Sequence, residues 1–193
     1  MYQKAIIQNV VSTATLLECD NKLDLNKLEA NIPNAKYRPE RFSALTIKMK
    51  EPLTATALLF ANGRIVCVGT KAAKDSETAL ICFVKIISTA AELFIKIHNF
   101  RIQNIVSSFT FGGFINLPAL YDSMRFAPPS WLARHISYNP EFFPGVCLRF
   151  KESRTVIIVF TTGKAIITGA HTEEEIYSTQ NKVYNSISMF MKK

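Results

Sequence analysis

Acidic residues are in short supply. The chain has 15 Asp and Glu against 23 Lys and Arg, a formal charge of +8 with a pI near 9.4. Residues 1–98 carry 13 basic and 9 acidic side chains and residues 99–193 carry 10 and 6, so each half holds +4. An even excess fits a polyanion met by both halves, and equally a plainly basic, soluble surface. Cysteine is sparse as well. Cys19, Cys67, Cys82 and Cys147 form no C-x-x-C pair, and His98, His135 and His171 do not cluster near them in sequence. That argues against a zinc centre or a disulfide framework and for free thiols in a reducing compartment, with Cys67 and Cys82 packed in apolar runs. No apolar run reaches 18 residues, and no basic segment followed by an apolar stretch opens the chain. A membrane-spanning or secreted chain is disfavoured. No low-complexity tail precedes residue 6, so nearly the whole chain is expected to be domain. There is also no Gly-rich phosphate loop, no nucleophile–base pair and no metal-ligand spacing, which disfavours catalysis and leaves no cofactor to expect. His171 precedes a helix cap, where a solvated histidine is expected.

What is present is a repeat. Ile7-Gln8-Asn9-Val10-Val11-Ser12 returns as Ile102-Gln103-Asn104-Ile105-Val106-Ser107. Tyr37-Arg38-Pro39-Glu40-Arg41-Phe42 returns as Tyr138-Asn139-Pro140-Glu141-Phe142-Phe143, and Leu58-Leu59-Phe60-Ala61-Asn62-Gly63-Arg64 as Ile158-Val159-Phe160-Thr161-Thr162-Gly163-Lys164. The offsets are 95, 101 and 100 residues. A tandem duplication implies two similar halves, 1–98 and 99–193, related by a pseudo-two-fold axis. With 48% hydrophobic residues, 193 residues suffice for a real core.

Each repeat opens with a strand-like run, 6–13 and 101–110, followed by a helix. Asp24 is placed to cap a helix through Leu25 and Leu28; Asn116 is placed to cap the other, with Pro118 in its first turn. Strands are expected at 42–49, 54–60 and 64–69, and again at 146–150, 154–160 and 164–169. Asn62-Gly63 and Thr162-Gly163 mark the hairpin turns. A long helix closes each repeat. One covers about 75–94 with Leu80, Phe83, Ile87 and Leu93 on its apolar stripe; the other covers 173–190, opened by a Thr172/Glu175 capping box, with Ile176, Val183, Ile187 and Phe190. The fold class is α+β, a repeated β-α-β-β-β(-β)-α unit.

Such helices cover one sheet face only. The other face should then alternate polar with apolar, and it does not. Val66 and Val68 share one face of their strand, Ile65, Cys67 and Gly69 the other; 164–169 repeats this pattern. Leu58 goes with Phe60, and Ile158 with Phe160. The helix-free face is therefore expected to be a binding surface. Arg41, Lys48, Lys50 and Arg64 fringe it in one half, and Arg149, Lys151, Arg154 and Lys164 in the other. An apolar centre with a cationic rim suits the DNA minor groove, where A·T edges offer acceptors only and close contact excludes guanine's amino group. Asn9 and Asn104 are the polar exceptions, one per repeat, and could donate to those acceptors.

These residues resemble the conserved core of the TATA-box-binding protein family over about residues 5–191. The stretches that carry the resemblance are Gln8-Asn9-Val10-Val11-Ser12-Thr13, Arg41-Phe42, Glu51-Pro52, Gly63-Arg64-Ile65-Val66-Cys67-Val68-Gly69, Phe143-Pro144-Gly145, and Thr162-Gly163-Lys164 with Thr168-Gly169-Ala170. The resemblance implies a saddle: two pseudo-symmetric repeats forming one curved antiparallel sheet, helices on its convex face, DNA on its concave one. It implies wedge pairs at Phe42/Phe60 and Phe143/Phe160, each opening a base step. It assigns Asn9 and Asn104 to central hydrogen bonds and Val11, Val106, Leu58, Val66, Ile158 and Ile166 to groove contacts. Arg41, Lys48, Arg64, Arg149, Arg154 and Lys164 go to the phosphates.

The chain departs from the family in places. Val68 stands where Thr is usual, whereas Thr168 keeps it, so one half loses a hydroxyl beside the central bases. Ser43, Leu53, Ser153, Asn139 and Phe142 are further replacements, and about 8 residues near 125–133 are additional. These changes fit a divergent eukaryotic member or a paralogue. The function implied is a nuclear general transcription initiation factor. It would bind and bend A·T-rich double-stranded promoter DNA and nucleate preinitiation complex assembly. The partners implied are factors like IIB and IIA and TATA-box-binding-protein-associated factors, with no membrane, and Glu141 and Phe142 meeting the IIB-like factor. The alternative is an adaptor of the same fold, acting mainly through protein contacts.

Overall fold

The computed structural model describes residues 3–17 and 22–192, and of Arg134 and His135 only the backbone. Cys19 lies outside the described residues. The chain divides into two compact units, residues 9–103 and residues 104–193 joined by 1–8.

In the first unit, β1 (Ile6–Thr15) contributes residues 9–15, followed by α1 (Leu25–Asn31), β2 (Ala35–Arg38), β3 (Phe42–Met49), β4 (Ala55–Phe60), β5 (Arg64–Thr70) and α2 (Ala73–Ala91). The strands pair antiparallel in the order β2-β3-β4-β5-β1. Asp24 caps α1, its Oδ1 accepting from the Asn26 and Lys27 N–H groups at 3.0 and 3.1 Å. That satisfies two of the donors a helix start leaves open. The core lies between sheet and helices: Leu28 of α1 and Leu80, Phe83 and Ile87 of α2 are fully buried with Leu45, Leu59 and Ile65 of the strands. Each such side chain contributes about 1.5–3 kcal/mol by leaving water.

The second unit repeats this plan. β6 (His98–Thr110) contributes residues 104–110, then come α3 (Leu117–Phe126), β7 (Leu132–Asn139), β8 (Phe143–Phe150), β9 (Val156–Phe160), β10 (Lys164–Ala170) and α4 (Glu173–Ile187). The order is β6-β10-β9-β8-β7, again antiparallel. Asn116 caps α3 through Ala119 N–H at 3.4 Å, with Pro118 in the first turn. Thr172 Oγ1 accepts from Glu175 N–H at 3.1 Å. The Glu175 carboxylate reaches back to the N–H of His171, one residue before the usual capping-box partner, at 2.8 Å.

The edges of the closing helices differ from expectation. α2 stops at Ala91 because Glu92 turns left-handed (φ 56°), and Leu93 N–H closes back onto Ser88 O at 3.1 Å. This is a Schellman ending, and it puts Leu93 outside the apolar stripe, 51% exposed. α4 ends at Ile187, and residues 188–190 form a single 3₁₀ turn. The hairpin turns have three residues, not two. Gly63 and Gly163, both at φ 79°, donate to Phe60 O and Phe160 O at 2.9 Å. The left-handed third position gives the hairpin its bulge.

Candidate nucleic-acid interface

Alternation with period two sorts the strands of each unit into a buried face and an open one. In the first unit Val10, Ser12 and Ala14 of β1, Ile65 and Cys67 of β5, and Ala57 and Leu59 of β4 turn into the core. Asn9, Val11, Val66, Val68, Leu58 and Phe60 are half-buried on the other side, with no helix over them. Register lines them up in rows: Thr46, Leu58, Val66 and Thr13 in one, Lys48, Thr56, Val68 and Val11 in the next.

The second unit builds corresponding rows. Cys147, Ile158, Ile166 and Ser108 form one, and Arg149, Val156 and Thr168 the other, with Val106 half-buried on β6. Cys147 thus reaches the open face, where burial raises its thiol pKa against the opposing pull of Arg149. Cys67, Cys82 and Cys147 are free thiols.

A pair of phenylalanines stands at one end of each face. Phe42 and Phe60 lie 6.0 Å apart between ring centroids at 69°, and Phe143 and Phe160 lie 5.9 Å apart at 59°. The outer ring of each pair is well exposed, Phe42 at 47% and Phe143 at 42%. Small residues make room beneath: Ala44 pairs with Phe60 and Gly145 with Phe160. A Cβ on Gly145 would come within 2.9 Å of Phe143 and Ile158 and 3.2 Å of Phe160. Side chains held edge-on to each other and open to solvent are suited to enter a gap between flat rings.

The two carboxamides are oriented from behind. Asn9 Oδ1 accepts from Gly69 N–H at 2.8 Å, and Asn104 Oδ1 from Gly169 N–H at 2.7 Å. With the oxygen occupied, each presents its NH2 as a donor. Asn104 has a further tie: its Nδ2 lies 3.2 Å from Thr168 Oγ1, and that hydroxyl lies 3.3 Å from Oδ1. Lys48, Arg64, Arg149 and Lys164 are exposed on open-face register positions, opposite Thr56, Thr15, Val156 and Thr110. Arg41 is exposed in the turn before β3 and Arg154 in the turn before β9. None of these six cations is ion-paired among the described residues. Glu141 and Phe142 project from the β7–β8 turn, Phe142 at 85% exposure. Asn139 shapes that turn, its Oδ1 accepting from Glu141 N–H at 3.3 Å and its carbonyl from Phe142 N–H at 3.1 Å.

Sequence reasoning missed the hydroxyl residues of the face, Thr13, Thr46, Thr56 and Ser108. Strict period-two counting in each strand would have found them. It also missed Gln8 and Gln103, which donate to Ser108 and Thr13 at 2.9 and 2.7 Å. Gln8 and Asn9 are both turned out of the core, a break in the alternation of β1 that counting cannot see. Among the described residues no three His, Cys, Asp or Glu side chains could hold a metal ion, and no helix is long and apolar enough to cross a membrane.

Comparison with known proteins agrees with this architecture. The family described as "Transcription factor TFIID (or TATA-binding protein, TBP)" matches twice, over residues 4–90 and 99–190. The TATA-box-binding protein of Bombyx mori is 37% identical over 186 residues, which is 96% of this chain but 56% of that protein. TATA-box-binding protein 1 of Arabidopsis thaliana is 36% identical over 96% of this chain and 86% of its own length. The chain thus spans little more than half of the insect relatives it matches. Among solved structures, the Methanococcus jannaschii TBP superposes with a TM-score of 0.73 at 28% identity, covering 97% of this chain and 99% of that one. With one family match per repeat and relatives of this similarity, the chain belongs to the TATA-box-binding protein family.

Proposed function

We propose that this protein is a general transcription initiation factor that binds and bends A·T-rich promoter DNA through the minor groove. The observation that carries the reading is the pair of matched phenylalanine clusters, 6.0 and 5.9 Å between rings, each at the end of a helix-free apolar face. An apolar face that makes close contact rejects guanine's amino group, and donors on Asn9 and Asn104 answer the acceptors of A·T pairs. Each phenylalanine pair unstacks one base step, and the kinks bend the duplex. Arg41, Lys48, Arg64, Arg149, Arg154 and Lys164 neutralise phosphates, so binding weakens steeply with salt. The reading takes in the setting of the eukaryotic relatives: the nucleus, preinitiation assembly, partners resembling factors IIB and IIA, and TATA-box-binding-protein-associated factors.

Energy transfer between dyes on the two ends of an A·T-rich duplex tests this. It should rise on binding, and a G·C-rich duplex of equal length should compete poorly. An unchanged end-to-end distance at saturating protein overturns the wedge assignment.

An adaptor reading keeps one specific support, the 85% exposed Phe142 beside Glu141 on the β7–β8 turn. Both readings use that turn to hold a IIB-like factor. Glu141→Arg and Phe142→Ala should each abolish the ternary complex and spare the DNA complex. If the wild-type chain captures the factor without DNA, the adaptor reading wins.

A further inference from the structure

The duplicated faces differ at one cross-strand pair. In the second unit β9 and β10 set Val156 opposite Thr168. In the first unit β4 and β5 set Thr56 opposite Val68. The same two residue types occupy the same pair with their strands exchanged. One hydroxyl has therefore moved a full strand spacing, about 4.8 Å, away from the carboxamide. Thr168 sits against Asn104, 3.2 Å from its nitrogen. Val68 sits against Val11 instead, and Asn9 keeps only the Gly69 N–H as partner.

The consequence concerns acceptors. Guanine is told from adenine in the minor groove by one added donor, its 2-amino group. Around Asn104 the Thr168 hydroxyl has lone pairs and can turn to accept from such a donor. Around Asn9 the setting is poorer in acceptors: Oδ1 already accepts from Gly69, Val68 and Val11 offer methyl groups, and the Thr56 hydroxyl lies one strand farther off. A guanine amino group pressed there loses its water and meets methyl groups where the second unit offers a hydroxyl, which moves it towards the costly case of an unpartnered polar group. Resting on the minor-groove reading above, we propose that Val68 is a specificity determinant. It makes the half of the DNA site contacted by the first unit stricter against G·C than the half contacted by the second.

The test uses the full chain and a binding titration on duplexes in which each A·T pair of the bound element is replaced singly by G·C, or by inosine·cytosine. Inosine lacks the 2-amino group, so its pairs isolate that group. Wild type should show one set of positions where G·C costs roughly tenfold more than inosine·cytosine, and a second set where the two differ little. Val68→Thr, and the double exchange Thr56→Val with Val68→Thr, should lower the G·C penalty at the first set only. Thr168→Val should raise it at the second set only, and this arm stands even if Val68→Thr folds poorly. Equal penalties across all positions in wild type, or Val68→Thr and Thr168→Val acting on the same positions, overturn the proposal. If wild type does not distinguish A·T-rich from G·C-rich duplexes at all, it is the minor-groove reading that fails.

Discussion

The two units share a plan and solve its details differently. Ser12 of the first unit is buried on β1, and its hydroxyl meets Ser76 of α2 at 2.7 Å. Counting from the helix caps Ala72 and Thr172, the second unit has Ile176 where the first has Ser76. Its equivalent of Ser12, Ser107, is fully buried with no partner for its hydroxyl. The second unit has invested elsewhere. Residues near 125–133 take in the last turn of α3, which has ten residues against seven in α1. They also bring Trp131 onto Phe150 in a stack of 4.7 Å and 20°, with the indole N–H donating to Ser186 of α4 at 3.3 Å. A fold copied once can thus keep its sheet and its wedge pairs while its buried polar contacts and its helix-side packing drift independently.

Removing a wedge pair should have the largest effect. The doubles Phe42→Ala/Phe60→Ala and Phe143→Ala/Phe160→Ala each remove two ring contacts worth about 1–3 kcal/mol apiece. Affinity should fall at least about 30-fold in each, with roughly half the bend lost by energy transfer. If one double loses the whole bend and the other none, the units are not equivalent wedges.

Trp131→Ala comes next. A fully buried Trp costs about 3–5 kcal/mol on truncation; this half-buried one should cost about 2 kcal/mol, read by denaturant unfolding. Amide exchange should quicken in the second unit and stay unchanged in the first.

The serine pair sharpens the contrast at smaller scale. Ser12→Ala removes the hydrogen bond to Ser76, which keeps its contact with Cys67, and should cost about 1 kcal/mol, whereas Ser107→Ala removes an orphan and should be neutral or slightly stabilising. Equal losses would mean that Ser107 is satisfied in solution.

The smallest effect concerns Cys67. Burial pushes its thiol pKa up to about 11, only partly offset by a hydrogen bond with Ser76. The folded chain therefore prefers the protonated thiol. This contribution is intact below the ordinary thiol range near 8.5 and is lost as pH rises towards about 11. Native Cys67 should resist alkylation at pH 8, and Cys67→Ala should flatten the loss of stability in alkali.

Much of this was legible in the chain because its signals are local. Asp24, Asn116 and Thr172 name their helices by the caps they make, and Gly63 and Gly163 mark the hairpin turns. The open faces followed from strands apolar on both sides. Leu93 was misread because periodicity does not register a left-handed Glu92, and the three-residue turns were misread because Asn-Gly is also the signature of a tighter one.

The sequence alone determined the duplication, the helix caps, the apolar faces and their cationic fringe, since each depends on residue type at fixed short spacing. Only the tertiary structure decided which side chains meet across strands and layers. Thr56 faces Val68, Thr168 ties down Asn104, Ser12 finds Ser76, and Trp131 lies on Phe150. Those contacts depend on strand register and helix placement. Register is set by the whole sheet through bulges such as the one beside Val10, where a shift of one residue exchanges buried and open faces.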